Sequence, residues 1–123
     1  MANPEVEFSI LAGAGVPVRA FKQGEIIFRE GDPATDLYVI KSGRVEVASG
    51  NRMLATIEEN GIFGEMALID KAPRSATVTA ATDVEVVPVS EKQFLFLVSQ
   101  TPFFALKVMR VLVSRLRIAN KAV

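Results

Sequence analysis

The chain contains neither cysteine nor histidine, and these two absences exclude several kinds of site. Without cysteine there is no disulfide framework, no thiolate nucleophile and no zinc site built on cysteine. Without histidine there is no metal held by imidazoles and no serine-histidine-acid triad. Since nothing else in the sequence can activate water, we expect no catalytic residues, no metal site, no cofactor and no enzyme activity.

Long hydrophobic runs and a charge excess of one sign are also missing. No apolar stretch approaches the roughly 18 residues that span a bilayer, and the N-terminus MANPEVEFSI has no basic region ahead of an apolar run. The 14 basic and 14 acidic residues cancel, so no net field draws the chain to nucleic acid or to a membrane. The default expectation is a soluble cytoplasmic protein.

Basic residues nevertheless collect after Glu91, the last acidic residue of the chain. They stand at Lys92, Lys107, Arg110, Arg115, Arg117 and Lys121. Such a spread on a terminal helix is more often a solvated face than a nucleic-acid surface, and contact with nucleic acid is kept as a minor alternative.

A length of 123 residues with 50% apolar side chains predicts one domain with a core of its own. From Val16 to Val89, short β-like runs alternate with glycine or proline at intervals of about eight to twelve residues, as in all-β sandwiches and barrels. The runs are VPVRAF, EIIFRE, DLYVIK, RVEVAS and MLATIEE, followed by a strand around Val86. We expect each strand to show one face to the core and one to water, and Gly50-Asn51 to form a hairpin turn.

Two helices are predicted to close the chain over residues 90–123. Ser90-Glu91-Lys92-Gln93 is a capping-box sequence, in which the serine hydroxyl and the glutamine side chain satisfy each other's backbone N–H groups. Thr101-Pro102 predicts a second helix start, with threonine as N-cap and proline at the first helical position. Residues 1–15 are weakly patterned and predict a short helical segment ahead of the first strand.

The last helix has a wide apolar arc. On a helical wheel, its polar side chains share one narrow sector: Lys107, Arg110, Ser114 and Arg117. The apolar remainder is wider than contact with one flat surface needs, so we expect the helix to be covered both by the barrel and by a ligand or partner helix. Arg115 falls inside the apolar arc, where it either extends outward along its stem or meets something flat and electron-rich.

Residues 63–78, FGEMALIDKAPRSATV, interrupt the β pattern. The stretch is too long for a tight hairpin and contains a possible helical turn from Gly64 to Ile69, whose first N–H groups suit an anion. The planar donor fork of Arg74 suits a phosphate, whereas Glu65 suits hydroxyl groups. The pair indicates a ligand with an anionic group near a sugar hydroxyl, such as a nucleotide. The alternative is a loop-closing ion pair between Glu65 and Arg74.

The same stretch resembles the phosphate-binding cassette of the cyclic nucleotide-binding domain family. That pattern is Phe-Gly-Glu, a small residue and leucine, and then Pro-Arg-Ser/Thr/Ala-Ala-Thr-Val, which residues 63–65, 67–68 and 73–78 match. The segments KQGEIIFREGD and YVIKSGRVEV also fall where the family places its strand-turn signals. The resemblance implies one domain over 1–123: a mainly β, antiparallel barrel of the jelly-roll type (double-stranded β-helix) over 16–89, a short cassette helix, and flanking N-terminal and C-terminal helices.

The resemblance also implies a role for each cassette residue. Glu65 is expected to bind the ribose 2′-hydroxyl, and Arg74 the exocyclic oxygens of the cyclic phosphate. Backbone N–H groups are expected to complete the cradle, around Gly64, Met66, Ala67 and Ser75.

For the base, the resemblance implies a place against the barrel strands. Val47 and Ile57 are candidates by position, although a plain core role explains them equally well. Arg115 stands where bacterial channel-type members carry a lid arginine, which is expected to stack on the purine. At Ser75, threonine in the family favours guanine and alanine goes with cyclic AMP, while serine occurs in cyclic-AMP binders. We therefore expect cyclic AMP and keep cyclic GMP open.

The predicted function is a cytoplasmic cyclic-nucleotide sensor. Ligand is expected to draw the cassette inward and to reposition the C-terminal helix as a lid that signals to a protein effector. No DNA-binding module is expected after a helix that ends so soon. The alternative is a module that keeps the fold without ligand and uses its C-terminal helix for dimerisation or partner docking. A third alternative is a fragment of a channel or transcription factor.

Overall fold

The computed structural model describes the backbone of residues 17–121 and the side chains of residues 17–115. The helical segment predicted over 1–15 lies outside the described residues. The described part is mainly antiparallel β-structure followed by two helices, which confirms the predicted fold class. No helix in this part of the chain is long and apolar enough to cross a membrane.

Within residues 17–121, eight strands precede two α-helices. The strands are β1 (Arg19–Phe21), β2 (Ile26–Phe28), β3 (Asp36–Ser42), β4 (Val45–Ser49), β5 (Arg52–Ile57), β6 (Ile62–Phe63), β7 (Thr77–Ala80) and β8 (Val84–Ser90). The helices are a short 3-10 helix (Glu65–Leu68), α1 (Glu91–Gln100) and α2 (Phe103–Lys121).

The strands form two antiparallel sheets of four. The first has the order β1-β8-β3-β6 and the second the order β2-β7-β4-β5. In the second sheet Ser49 pairs with Arg52 across the predicted Gly50-Asn51 turn, and Gly50 has the positive φ of 58° that a tight hairpin needs. Strands β6 and β7, which the β pattern of the sequence did not reveal, flank the cassette. The cassette is therefore the connection that passes from one sheet to the other.

The first sheet is buried on both faces at its centre. Tyr38 and Ile40 of β3 point between the two sheets, where they join the cluster that contains Val78 and Val86. Leu37 and Val39 point the other way, into a cluster completed by the two helices. The expectation that each strand shows one face to water is wrong for β3 and β8, because helices cover the second face.

Helix α1 begins at the predicted capping box. The Ser90 hydroxyl accepts the Gln93 N–H at 3.3 Å, and Gln93 Oε1 accepts the Ser90 N–H at 2.9 Å. Helix α2 begins at Phe103, one residue later than predicted, and the Thr101 carbonyl accepts the Phe104 N–H at 2.9 Å. The start of the last helix is thus set by the Thr101-Pro102 sequence to within one residue.

One face of α2 packs on the first sheet through Phe104, Val108 and Val111, which are all buried. The apolar arc continues beyond this contact, as its width predicts. Phe103, Met109 and Val113 on that continuation are 70%, 53% and 48% exposed. Within the described part of the chain the barrel covers one side of the helix, and the second apolar side is open.

Candidate functional site

A cavity of about 680 Å³ lies between the cassette, the second sheet and the middle of α2. This volume is in the usual range for small-molecule sites. All nine residues predicted as ligand contacts line it: Val47, Ile57, Gly64, Glu65, Met66, Ala67, Arg74, Ser75 and Arg115. The structure therefore brings the predicted residues to one place, while their individual roles toward a ligand stay predictions.

Arg74 is buried at the wall of the cavity, with 7% of its surface exposed. Its Nη1 donates to the Gly64 carbonyl at 3.1 Å and its Nη2 to the Asp36 carbonyl at 2.7 Å. The guanidinium lies over the Phe28 ring, with Cζ 4.0 Å from the centroid, and 5.8 Å from the centroid of Tyr38. Both carbonyl bonds and both aromatic contacts fix the orientation of this side chain.

The main chain at Arg74 is fixed by the turn at Gly31-Asp32. The Gly31 N–H donates to the Arg74 carbonyl, and the Arg74 N–H donates to the Asp32 carbonyl, each at 2.8 Å. Asp32 also closes its own turn, because its Oδ2 accepts the Arg29 N–H at 2.9 Å. The REGD segment, which the sequence marks as a turn, therefore acts as the clamp that positions the arginine.

Burial lowers the pKa of the Arg74 guanidinium, and the nearby Tyr38, Asp36, Asp32 and Glu65 oppose this effect. Its Nε is buried and has no hydrogen-bond partner among the described residues. An arginine stays charged even when its pKa falls, so a buried donor on a cation is left unsatisfied. An anionic acceptor in the cavity would relieve both the desolvation and the missing bond.

Gly64 is required by the position of Arg74. It caps the 3-10 helix with φ 74°, in the left-handed region that side chains other than glycine rarely adopt. A Cβ at this position would lie 2.8 Å from Nη1 of Arg74. The glycine of the Phe-Gly-Glu motif thus admits the guanidinium to the Gly64 carbonyl.

Glu65 is buried, with 4% of its surface exposed, and it does not pair with Arg74. Its Oε1 instead accepts from Nη1 of Arg115, whose Nη2 donates to the Ile62 carbonyl. The loop-closing ion pair between Glu65 and Arg74 is therefore wrong for the described chain. Arg115 does not simply extend into solvent, because it joins α2 to the cassette. Its stacking on a base stays a prediction.

The first turn of the cassette helix offers main-chain donors to the cavity. The Ala67 N–H donates to the Gly64 carbonyl at 3.2 Å, which is the first bond of the 3-10 helix. The N–H groups of Glu65 and Met66 come before that bond and have no partner within the helix. Within residues 17–115, the Ser75 N–H has no acceptor either. Of the predicted cradle, the N–H groups of Met66 and Ser75 have no acceptor in the described part of the chain, whereas the Ala67 N–H donates to the Gly64 carbonyl.

The opposite wall is apolar. Val47 and Ile57 line the cavity and also pack against the cluster between the sheets, so they have the core role, while their contact with a ligand stays a prediction. Met53 and Leu54 of the edge strand β5 extend this wall and are 55% and 48% exposed. The sequence analysis did not select them. The signal that the sequence offered for them was a pair of adjacent apolar residues at the start of the MLATIEE run.

Charges around the cavity favour an anion. Among residues 17–115, Arg52, Arg74 and Arg115 line it together with two carboxylates, those of Glu65 and Asp70. The lining therefore carries one more positive than negative charge, although the chain as a whole is neutral. A ligand with a single negative charge would balance the cavity.

The model of the family described as cyclic nucleotide-binding domain matches residues 18–101. The chain belongs to this family. The matched range contains both sheets and the whole cassette, and the family is a ligand-binding regulatory domain rather than a catalytic one. The resemblance of residues 63–78 to the family's phosphate-binding cassette is thereby confirmed at the level of the family.

Named relatives of this cyclic nucleotide-binding domain are longer proteins. The chain is 34% identical over 107 residues to the cyclic AMP receptor protein of Thermus thermophilus, covering 83% of this chain and 50% of that one. It is 42% identical over 76 residues to a cGMP-dependent protein kinase of Toxoplasma gondii, covering 62% of this chain and 8% of the kinase. The crystal structure of the Thermus thermophilus catabolite activator protein superposes with a TM-score of 0.82 at 30% identity, covering 95% of this chain and 58% of that one.

Proposed function

We propose that this domain binds a 3′,5′-cyclic nucleotide in the 680 Å³ cavity and reports the occupancy of that cavity through α2. The observation that carries the proposal is the state of Arg74. Its guanidinium is buried, held by two carbonyls and an aromatic ring, and still has an unsatisfied Nε. A fixed cation with a free donor in a net positive cavity suits the phosphate of such a ligand.

The proposed pose assigns the phosphate to Arg74 and to the free N–H groups of Met66 and Ser75. The ribose then lies toward Glu65, whose carboxylate accepts from the 2′-hydroxyl. The base lies along the apolar wall formed by Val47 and Ile57. Each part of the nucleotide thereby meets the chemistry it needs: cation and N–H donors, a carboxylate, and apolar surface.

We propose cyclic AMP as the preferred ligand, with cyclic GMP as the competitor. Ser75 is exposed and lines the cavity, and its hydroxyl can serve either purine. The similar proteins whose names specify a nucleotide include both kinds, a cyclic AMP receptor and a cGMP-dependent kinase. Ser75 alone therefore does not decide the preference, and the ratio of the affinities for cyclic AMP and cyclic GMP measures it.

The proposed output is a shift of α2 that a cytoplasmic effector protein detects. Helix α2 contacts the barrel through the Phe104 cluster and the cassette through Arg115, so the cavity and the helix share a residue. A ligand shifts such an equilibrium only by its different affinity for the two positions of the helix. We propose the effector protein, the shift of α2 and the cytoplasmic location together, as parts of one signalling function.

Calorimetric titration tests the binding step. Cyclic AMP and cyclic GMP are titrated into the wild type and into Arg74→Ala, with 5′-AMP as the control for nucleotides in general. We expect saturable binding of a cyclic nucleotide by the wild type, and at least a tenfold loss in the variant, because charged hydrogen bonds contribute about 1.5–3 kcal/mol each. A wild type that binds neither cyclic nucleotide at millimolar concentration would contradict the proposal.

The absence of cysteine allows a clean test of the helix shift. Glu58 and Arg110 are exposed, on the barrel and on α2 respectively, so the pair Glu58→Cys and Arg110→Cys can carry two spin labels. We expect cyclic AMP to change the distance between the labels, and Arg74→Ala to abolish the change. An unchanged distance between the labels at saturating ligand would contradict the proposed shift of α2, although the domain would still bind the nucleotide.

The second candidate function is a dimerisation or docking module, favoured by the open apolar side of α2. Phe103, Met109 and Val113 are largely exposed there. Sedimentation of the wild type and of Met109→Lys without nucleotide tests it. A stable dimer that the lysine dissociates supports a constitutive α2 interface. A ligand-independent dimer in a chain that binds no nucleotide would favour this function over the sensor.

A further inference from the structure

Two methionines lie at the rim of the cavity, Met53 on the edge strand β5 and Met66 on the 3-10 helix of the cassette. Both are open to solvent, with 55% and 49% of their surface exposed. Among the described residues, the other large apolar residue that is exposed and lines the cavity is Leu54. The large exposed apolar residues of the lining are therefore mostly thioethers.

The exposure of these side chains is unusual, because methionine is among the residues most often fully buried. Met109 is also 53% exposed, but it lies on the open side of α2 and, in the described part of the chain, does not line the cavity. Cysteine, the other sulfur side chain that peroxides oxidise, is absent from the sequence. An oxidant that reaches this domain therefore meets exposed methionines, two of them at the cavity and one away from it.

We propose that Met53 and Met66 are oxidation sites, at which a peroxide converts each thioether into a sulfoxide and thereby weakens the binding of the nucleotide. The inference rests on the proposed function. It gives the sensor a second input, the redox state of its surroundings.

The oxidant of the proposed step is hydrogen peroxide. The sulfur lone pair attacks one oxygen of the peroxide, so that an S–O bond forms while the O–O bond breaks, and the second oxygen leaves as water. The sulfur loses an electron pair and the peroxide gains it. A methionine sulfoxide reductase, with a thiol as the source of electrons, reverses the change. The modification can therefore be switched on and off.

A sulfoxide at Met53 makes the apolar wall polar. Met53 extends the wall of Val47 and Ile57, along which the proposed pose places the base. A sulfoxide is polar and hydrated, whereas the thioether is apolar. A base that packs on the oxidised wall has to displace water from the S–O group without replacing its hydrogen bonds, which costs binding free energy.

A sulfoxide at Met66 changes the cassette. Met66 lies between the buried residues Glu65 and Ala67, and its carbonyl accepts the N–H groups of Ile69 at 3.1 Å and Asp70 at 3.2 Å. These contacts hold the main chain of Met66 in place, so the oxidised side chain stays at the rim. Its new oxygen is a hydrogen-bond acceptor beside the N–H donors that the proposed pose gives to the phosphate, and it competes with the phosphate for them.

The test compares untreated and peroxide-treated protein by calorimetric titration with cyclic AMP. The chains are the wild type, the double variant Met53→Leu/Met66→Leu, and Met109→Leu as the matched control for an exposed methionine away from the cavity. Leucine has a similar volume and carries no sulfur. Mass spectrometry of peptides measures the oxidised fraction at each methionine, and urea midpoints show that each sample is folded.

We expect peroxide to weaken cyclic AMP binding by the wild type at least about fivefold, the effect of one poorly solvated polar group. Met109→Leu should lose affinity by the same factor, whereas the leucine double variant should keep its affinity after the same treatment. Methionine sulfoxide reductase should restore the affinity of the oxidised wild type. Without peroxide, Met53→Gln/Met66→Gln should bind more weakly than the leucine double variant, because glutamine places a polar group at both positions.

The rate of oxidation gives a second readout that does not depend on a change in affinity. If oxidation weakens binding, bound nucleotide must in turn oppose oxidation. Cyclic AMP at saturation should therefore slow the oxidation of Met53 and Met66 relative to that of Met109, measured on peptides after a fixed exposure to peroxide.

Three results would overturn the inference. Equal affinity of the oxidised and the untreated wild type would show that the sulfoxides do not affect the ligand. A loss of affinity that persists in the leucine double variant would place the effect of peroxide elsewhere in the chain. Oxidation of Met53 and Met66 at the same rate with and without cyclic AMP would show that the nucleotide does not cover them. Failure of the untreated wild type to bind cyclic AMP would instead overturn the proposed function and, with it, this inference.

Discussion

The Cζ atom of Arg74 lies 4.0 Å from the centroid of the Phe28 ring. The ring belongs to β2 of the second sheet, and the carbonyls that hold the guanidinium belong to Asp36 of the first sheet and Gly64 of the cassette. One side chain therefore ties together three separate parts of the barrel. This arrangement explains how the cassette, which is a long connection between two sheets, can hold a fixed geometry.

Replacement of Arg74 by lysine tests whether the fork, and not only the charge, is required. Arg74→Lys keeps the cation but cannot donate to Gly64 and Asp36 while lying over Phe28. We expect at least a tenfold loss of cyclic AMP affinity, nearly as large as in Arg74→Ala, measured by calorimetry. Wild-type affinity in the lysine variant would show that a point charge is sufficient.

Gly64→Ala tests the close approach of the arginine. The added Cβ would lie 2.8 Å from Nη1 of Arg74, at a φ of 74°. Gly24→Ala is the control, since Gly24 has a φ of 88° with nothing within 4 Å of its Cβ position. Both variants should lose about 1 kcal/mol of stability from backbone strain. Gly64→Ala should lose more in urea unfolding and should also bind cyclic AMP more weakly, whereas Gly24→Ala should bind normally.

Phe104→Ala tests the packing of α2 on the first sheet. Phe104 is 0% exposed and packs against Phe94 with tilted rings and centroids 5.5 Å apart, so its truncation should cost about 3–5 kcal/mol. Phe103→Ala on the neighbouring position, which is 70% exposed, should change the free energy of unfolding by less than about 0.5 kcal/mol. Equal effects of the two substitutions in urea unfolding would contradict the assignment of the buried face.

Lys71→Ala tests an ion pair of a different kind. Lys71 Nζ lies 3.0 Å from Glu91 Oε2 and joins the cassette loop to the start of α1, but both side chains are more than half exposed. Solvent screens such a pair, so we expect the substitution to lower the free energy of unfolding in urea by less than about 1 kcal/mol. The affinity for cyclic AMP should stay unchanged. A larger loss of affinity would make this pair a second link between the cassette and the helices.

Much of the site was predictable because it is local in sequence. The cassette helix, its glycine cap, Glu65 and Arg74 all lie within residues 63–78, and the capping box of α1 is a pattern of four residues. The partners of these residues were not predictable in the same way. The Asp36 carbonyl is a main-chain group with no sequence signal, and Phe28 reaches Arg74 only through the pairing of β2 with β7.

The burial of β3 on both faces was missed for a related reason. Alternation along a strand shows which residues share a face, but not whether a distant helix covers the second face. Leu37 and Val39 are buried only because α1 and α2 return to the first sheet. Arg115 could be predicted only in part for the same reason. The helical wheel placed this charge inside the apolar arc, but its partner Glu65 is distant in sequence and is brought near it by the fold.

The most direct measurement is a crystal structure of this domain with cyclic AMP bound. We predict density for one nucleotide in the 680 Å³ cavity, with its phosphate on the Arg74 guanidinium and the Ser75 N–H, and its 2′-hydroxyl on Glu65. An empty cavity at saturating ligand, or a nucleotide bound outside it, would contradict the account.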